Sequence, residues 1–130
     1  MPSENPALKD KFARHLQIEV VSFKEGYAKV KLAVQPRFIN GAGFVHGGVL
    51  FSLADYAFAL AANAGHESGL AVNANINFIK TAFPDDELFA EARLVSRSRK
   101  LGTYQVDVTN RQGVILARVQ SMAYFKEESL

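Results

Sequence analysis

The stretch Asn40–Asn63, NGAGFVHGGVLFSLADYAFALAAN, decides how the rest of the chain is read. It opens as a loop carrying Gly41, Gly43, Gly47 and Gly48, then turns into an apolar run whose one charged residue is Asp55. From Val49 onward nearly every residue is a good helix former or an aromatic, and no proline intervenes, so the run predicts a helix from about Gly47 to Ala64. A helix apolar almost all round is buried on most sides. Its polar residues Ser52, Asp55, Tyr56 and Asn63 fall on one stripe, with Ala59 filling the gap. A carboxylate there is either a hydrogen-bonded structural group or a site residue. Because an unpaired buried carboxylate is costly and perturbed carboxylates gather at sites, Asp55 is the leading functional candidate.

Bulk properties set the limits. With 130 residues, 48% of them apolar, the chain suits one globular domain, 1–130, with a substantial core. There is no cysteine, which excludes disulfides and cysteine metal sites and is compatible with a reducing, cytoplasmic setting. The first residues, MPSENPALKDKF, lack a signal-peptide hydrophobic core. The run at 49–62 is too short for a membrane span, so no membrane partner is expected. A net charge of +2 is too small to argue for nucleic acid.

On the N-terminal side, Asn5 or Ser3 can cap a short helix over roughly Pro6–Arg14. Gln17–Phe23 and Tyr27–Val34 read as strands joined at Lys24-Glu25-Gly26, with Ala28, Val30, Leu32 and Val34 on one face against Tyr27, Lys29 and Lys31. On the C-terminal side, Leu70–Ile79 alternates Val72, Ala74, Ile76 and Phe78 against Asn73, Asn75 and Asn77. Glu87–Ser98, Thr103–Thr109 and Val114–Phe125 complete the strands, the last two joined by the turn Asn110–Gly113. Two strands, a long buried helix and four strands make an α+β protein, an antiparallel sheet curled around the helix. One small sheet leaves a side of that helix uncovered, the side with the polar stripe, and a second subunit is expected to cover it.

A helix N-terminus offers free N–H groups and a positive dipole end, which suit an oxyanion. Gly47 and Gly48 leave those donors unobstructed, and Asp55 is the evident general base. Asp55 follows Gly47 by eight residues, roughly 12 Å along the same helix. The two cannot meet one carbonyl within one chain, but a two-fold partner with an antiparallel helix brings them together, so a homo-oligomer with a shared site is expected. Other chemistries fit poorly. Ser52 lies mid-helix with no G-x-S-x-G elbow. The histidines lack the HxH or HExxH spacing of a catalytic metal site. No GK[ST] follows the glycines, so the loop is not a phosphate-binding P-loop.

The set Asn40, Gly43, His46-Gly47-Gly48, Leu53 and Asp55, followed by a small-residue helix, resembles the hotdog-fold acyl-CoA thioesterases, most closely the phenylacetic-acid-pathway (PaaI-like) type. The element order matches a hotdog fold over the whole chain. The resemblance implies that Asp55 acts as base or nucleophile from the neighbouring subunit and that Gly47 supplies the oxyanion N–H. It gives Asn40 and His46 the task of holding the carbonyl and the loop, with Gly48 beside the substrate. The position where related enzymes carry Ser or Thr to hold water is Asn73 here. It implies coenzyme A as part of the substrate and no separate cofactor or metal. It also makes Arg97, Arg99 and Lys100 candidates to clamp the coenzyme A phosphates; the other reading of that basic run is a solvated turn. Phe44, Phe51, Tyr56, Phe58 and Phe78 line either an aryl pocket or the core. Two further functions stay open on the same fold. One is a hydroxyacyl-thioester dehydratase, whose prolines around the His and later Glu are missing here. The other is a non-catalytic acyl-CoA-binding protein, which has no need of Asp55.

Overall fold

The computed structural model describes residues 4–126. Helix α1 spans Lys11–Leu16 and helix α2 spans Gly47–Ala62; the strands are β1 (Glu19–Lys24), β2 (Tyr27–Ala33), β3 (Ser68–Phe78), β4 (Glu87–Arg97), β5 (Leu101–Thr109) and β6 (Ile115–Lys126). All six strands form one antiparallel sheet in the order β1-β2-β4-β5-β6-β3, with α2 against one face. The hairpins expected at Gly26 and at Asn110–Gly113 are present, and Gly26 and Gly113 adopt φ values of 80° and 81°.

The core is a seam between α2 and the inner sheet face. Leu50, Leu53, Ala54, Ala57, Leu60 and Ala61 recur at helical spacing, and all are buried. They meet Ala28, Val30, Leu32, Leu88, Ala90 and Ala92 of β2 and β4, each with no exposed surface. Alanines on both sides let helix and sheet approach closely. Facing away from this seam, Ser52, Asp55, Ala59 and Asn63 are only partly buried, as the spacing predicts, whereas Tyr56, expected on the same stripe, is 7% exposed and joins the core.

Three local expectations shift. The N-terminal helix is two pieces, a 3-10 turn at Pro6–Lys9 and then α1, separated by Asp10 with extended backbone. Asp10 accepts a hydrogen bond from the Ala13 N–H and so starts a new helix instead of continuing the old one. Gln17, at φ 63°, ends α1 and delays β1 to Glu19. In β3 the pairing slips between Ala71 and Asn73, so Val72 is the extra residue of a bulge and is 55% exposed, not a core residue. Beyond it Ala74, Ile76 and Phe78 pair opposite the buried Ser121, Val119 and Ala117, but only Ile76 is itself partly buried; Ala74 and Phe78 are exposed, as are Asn73, Asn75 and Asn77. Of the two N-terminal caps expected, Asn5 caps the 3-10 turn through the Ala7 N–H and donates from Nδ2 to the Leu60 carbonyl at 2.9 Å, tying the N-terminal segment to α2; Ser3 lies outside the described residues.

Candidate active site

The loop before α2 is held by Asn40. Its Oδ1 accepts from the Ala42 and Phe44 N–H groups at 2.9 and 3.1 Å, and its own N–H donates to the Phe44 carbonyl at 2.7 Å. These bonds fold residues 40–44 into a tight turn, with Gly43 at φ 90°. His46 then caps α2: its Nδ1 accepts from the Gly48 N–H at 2.8 Å. Nδ1 can accept only if it carries no proton, so the neutral ring bears its proton on Nε2. A Cβ on Gly48 would meet Nδ1 at 3.0 Å, so the missing side chain is what lets the ring fold back onto the helix.

This cap separates the two glycines. The Gly48 N–H is engaged by His46, whereas the Gly47 N–H has no partner among the described residues and points out of a helix N-terminus. Gly47 lines a cleft of about 290 Å³ with Asn40, Phe44, Leu50, Phe78 and Lys80. The cleft is therefore equipped with one unoccupied backbone donor at the positive end of the helix dipole.

Asp55 lies elsewhere. It lines a second cleft, of about 230 Å³, with Asp10, Phe12, Ile18, Phe51 and Tyr56. Its carboxylate is half-buried and makes no hydrogen bond to another described residue. Burial pushes its pKa up, and the charge of Asp10 pushes it further the same way. A carboxylate with a raised pKa and no partner is a stronger proton acceptor than an ordinary aspartate. Gly47 and Asp55 thus line two separate clefts of one chain.

The other expected residues divide. Asn73 sits in β3 opposite Met122 and lines neither cleft. Arg97 donates to Glu67 at 2.5 Å and to the Ser98 carbonyl at 2.8 Å, and its guanidinium lies 3.5 Å from the centre of the Phe125 ring. Arg99 and Lys100 are exposed, Lys100 lying 5.9 Å from the Tyr124 ring centre. Of the aromatics, Phe44 and Phe78 line the Gly47 cleft, Phe51 and Tyr56 line the Asp55 cleft, and Phe58 is core, edge-on to Tyr104 at 5.3 Å. The residues that sequence reasoning missed are Asp10, Phe12 and Ile18. They reach Asp55 from over thirty residues away in the chain, and the one local hint is an apolar Phe12 among the charged Lys9, Asp10, Lys11 and Arg14. Among the described residues no three His, Asp or Glu side chains gather as a metal site, and no helix is long and apolar enough to cross a membrane.

Comparison with known proteins bears on family and fold. Residues 42–117 match the family described as the thioesterase superfamily. Over 103 residues, 79% of this chain and 74% of the relative, the sequence is 37% identical to the acyl-coenzyme A thioesterase PaaI of Escherichia coli. The solved structure of E. coli PaaI superposes with a TM-score of 0.84 at 33% identity, covering 91% of this chain and 92% of that one. A Streptococcus mutans protein solved with acetyl-CoA bound superposes with a TM-score of 0.82 at 25% identity, covering 88% and 92%. A sheet wrapped on one long helix, with its glycine loop at the helix start, is the hotdog arrangement, and this chain belongs to the thioesterase superfamily.

Proposed function

We propose that this PaaI-like thioesterase hydrolyses acyl-coenzyme A thioesters at a site built by two copies of the chain, Gly47 coming from one and Asp55 from the other. The observation that carries the reading is the separation of Gly47 and Asp55 into two clefts along one helix. In the reaction, the thioester carbonyl oxygen faces the Gly47 N–H, where developing negative charge meets the helix N-terminus. Asp55 of the other copy takes a proton from water, the hydroxyl oxygen bonds to the carbonyl carbon, and the carbon–sulfur bond breaks as the departing sulfur takes up that proton, releasing coenzyme A and a free acid and returning Asp55 to its carboxylate. The raised pKa of Asp55 makes it a better proton acceptor, which suits the base role taken here. Asn40 and His46 act as positioning residues, one holding the loop and the other fixing the helix start. No metal or separate cofactor enters these steps, and a chain without cysteine suits the cytoplasm.

Two features support a homo-oligomer. The polar stripe of α2 is partly exposed, and β3 is an edge strand of eleven residues lying open along most of its length. An open edge of that length is a site for pairing with another copy. Acyl-coenzyme A as substrate is supported by the named activity of the E. coli relative.

Mixing two inactive variants tests the shared site. Asp55→Asn removes the base and Gly47→Val obstructs the donor. A mixed dimer holds one site with both lesions and one with neither, so co-expression is expected to restore up to about half the activity per dimer. Mixed dimers verified by native mass spectrometry but lacking activity would place each site within a single chain.

A further inference from the structure

A third cavity, of about 310 Å³, lies at the carbonyl end of α2 and takes no part in the hydrolysis above. It is walled by the β1–β2 turn, the last turn of α2, the loop that follows, and the adjoining ends of β4, β5 and β6. None of its lining residues lines the Gly47 or the Asp55 cleft, and none belongs to β3 or to the polar stripe of α2. The surfaces assigned above to the second copy therefore leave it out.

The polar group at its centre is Tyr104. This residue lines the cavity, is 2% exposed, and makes no hydrogen bond from its hydroxyl to another described residue. Burial pushes the phenol up to about 12; Arg97 works against that rise and Glu25 adds to it, so both charges are felt at the hydroxyl. The group is thus a neutral O–H with lone pairs to offer, in a place where leaving them unmet is costly.

The charges around it do not balance. Arg97 is the one cation among the lining residues, and it is already engaged: it bonds Glu67 at 2.5 Å and lies 3.5 Å from the centre of the Phe125 ring. Glu25 has no cationic partner among the described residues. A Cβ on Gly65 would come within 2.6 Å of the Glu25 Oε2, so this carboxylate lies against the loop at that glycine. The carbonyl end of the helix adds partial negative charge. Ala61, Ala62 and Leu94 supply an apolar wall.

We propose that this cavity binds a small organic cation, a primary ammonium on a short apolar body, donating to the Tyr104 oxygen and the Glu25 carboxylate while the body lies against Leu94, Ala61 and Ala62. An ammonium carries three donors and no acceptor, which matches a site that offers oxygen acceptors. An anion would meet Glu25, with the one cation of the cavity already paired to Glu67. The space stands at the lower end of the roughly 300–1,000 Å³ of small-molecule sites, so the body is short.

The test titrates the purified full chain at pH 7 with n-butylamine, n-butanol and butyrate, matched in length, and follows backbone amide resonances by NMR. Butylamine is protonated there, as a lysine side chain is. It is expected to shift Gly26, Gly65 and Leu94 and to bind at least about fivefold more tightly than butanol, with butyrate not binding. Glu25→Gln removes the charge, Gly65→Ala displaces the carboxylate, and Tyr104→Phe removes the hydroxyl while keeping the ring. Each is expected to weaken butylamine by about fivefold, the Glu25 effect being held down by its contact with solvent. Melting curves establish that each variant is folded. Equal affinities for amine and alcohol, or an unchanged affinity in folded Glu25→Gln and Tyr104→Phe, overturn the proposal and leave an apolar hole. A preference for butyrate overturns it in favour of an anion on Arg97. Shifts centred on Asp10 and Phe51 overturn it by placing the amine in the Asp55 cleft. Asp55→Asn, which leaves the third cavity intact, is expected to keep the shifts at Gly26 and Gly65 whatever it does to hydrolysis, and their loss in that variant counts against the site.

Discussion

Gly47 faces the ring of Phe78: a methyl placed on Gly47 would come within 3.1 Å of the ring carbons Cε1 and Cζ. Phe78 ends β3 and is 58% exposed, so its ring has room to swing away. Both residues line the same cleft, so a displaced ring changes its shape. Gly47→Ala is therefore expected to change the melting temperature by only a few degrees, since a helical alanine is intrinsically favoured over glycine by about 1 kcal/mol. Activity is expected to fall, and adding Phe78→Ala should return part of it. A double-mutant cycle on kcat/KM measures this coupling; strictly additive losses would show that the two residues act separately.

The half-buried charge of Asp55 has a stability consequence whose sign follows from its raised pKa. The unfolded chain releases this proton more readily than the folded one, so Asp55 works against folding once pH exceeds its folded pKa. That penalty fades as pH falls toward the ordinary carboxylate range. Asp55→Asn is expected to melt higher than wild type at pH 7 and to lose that advantage near pH 4, while hydrolysis drops at least ~10²-fold. Thermal melts at both values, with a thiol-release assay, check the pair of effects. A variant that is active, or that melts lower at neutral pH, contradicts this account.

The cap on α2 predicts a graded series at His46. Ala removes the acceptor for the Gly48 N–H and is expected to cost about 1 kcal/mol, whereas Asn, itself a good cap, should recover most of it. Activity should follow stability only partly, because a frayed first turn also disorients the Gly47 N–H. Chemical denaturation read beside kcat resolves the two contributions; identical behaviour of Ala and Asn would dismiss the cap.

At the β4–β5 turn the three basic residues should separate by environment. Arg97 packs on Phe125 and holds Glu67, so Arg97→Ala is expected to destabilise the fold. Arg99 and Lys100 are exposed, and if they meet coenzyme A phosphates, neutralising both should raise KM for acyl-CoA while kcat stays near its wild-type value. A short thioester lacking the nucleotide should be insensitive. Equal losses on the two substrates would indicate damaged folding instead.

Much of this was legible because it is local. The α2 run, the alternation of β2 and the hairpin turns each state their structure within a few residues, and the Gly47–Asp55 spacing follows from helical rise alone. The HGG-to-Asp spacing carried the family. What escaped was non-local or depended on a single side-chain bond. Asp10 breaks the expected first helix through one bond to Ala13, which no periodicity reveals. The bulge at Val72 follows from register with β6, a partner some fifty residues later in the chain. That His46 engages Gly48 and leaves Gly47 free depends on one ring orientation, and the approach of Phe12 to Asp55 depends on how the N-terminal segment docks through Asn5.

The alanine seam between α2 and strands β2 and β4 bears on how such a protein can change over generations. Ala54, Ala57, Ala28, Ala90 and Ala92 have no exposed surface, so any larger side chain there must push helix from sheet. On the opposite side, Ser52 and Ala59 line clefts instead of the seam, so a change there does not push helix from sheet. The helix thus serves as a fixed axle: its bearing surface resists alteration, while the residues lining the two clefts can be exchanged without moving the Gly47 N–H from its place.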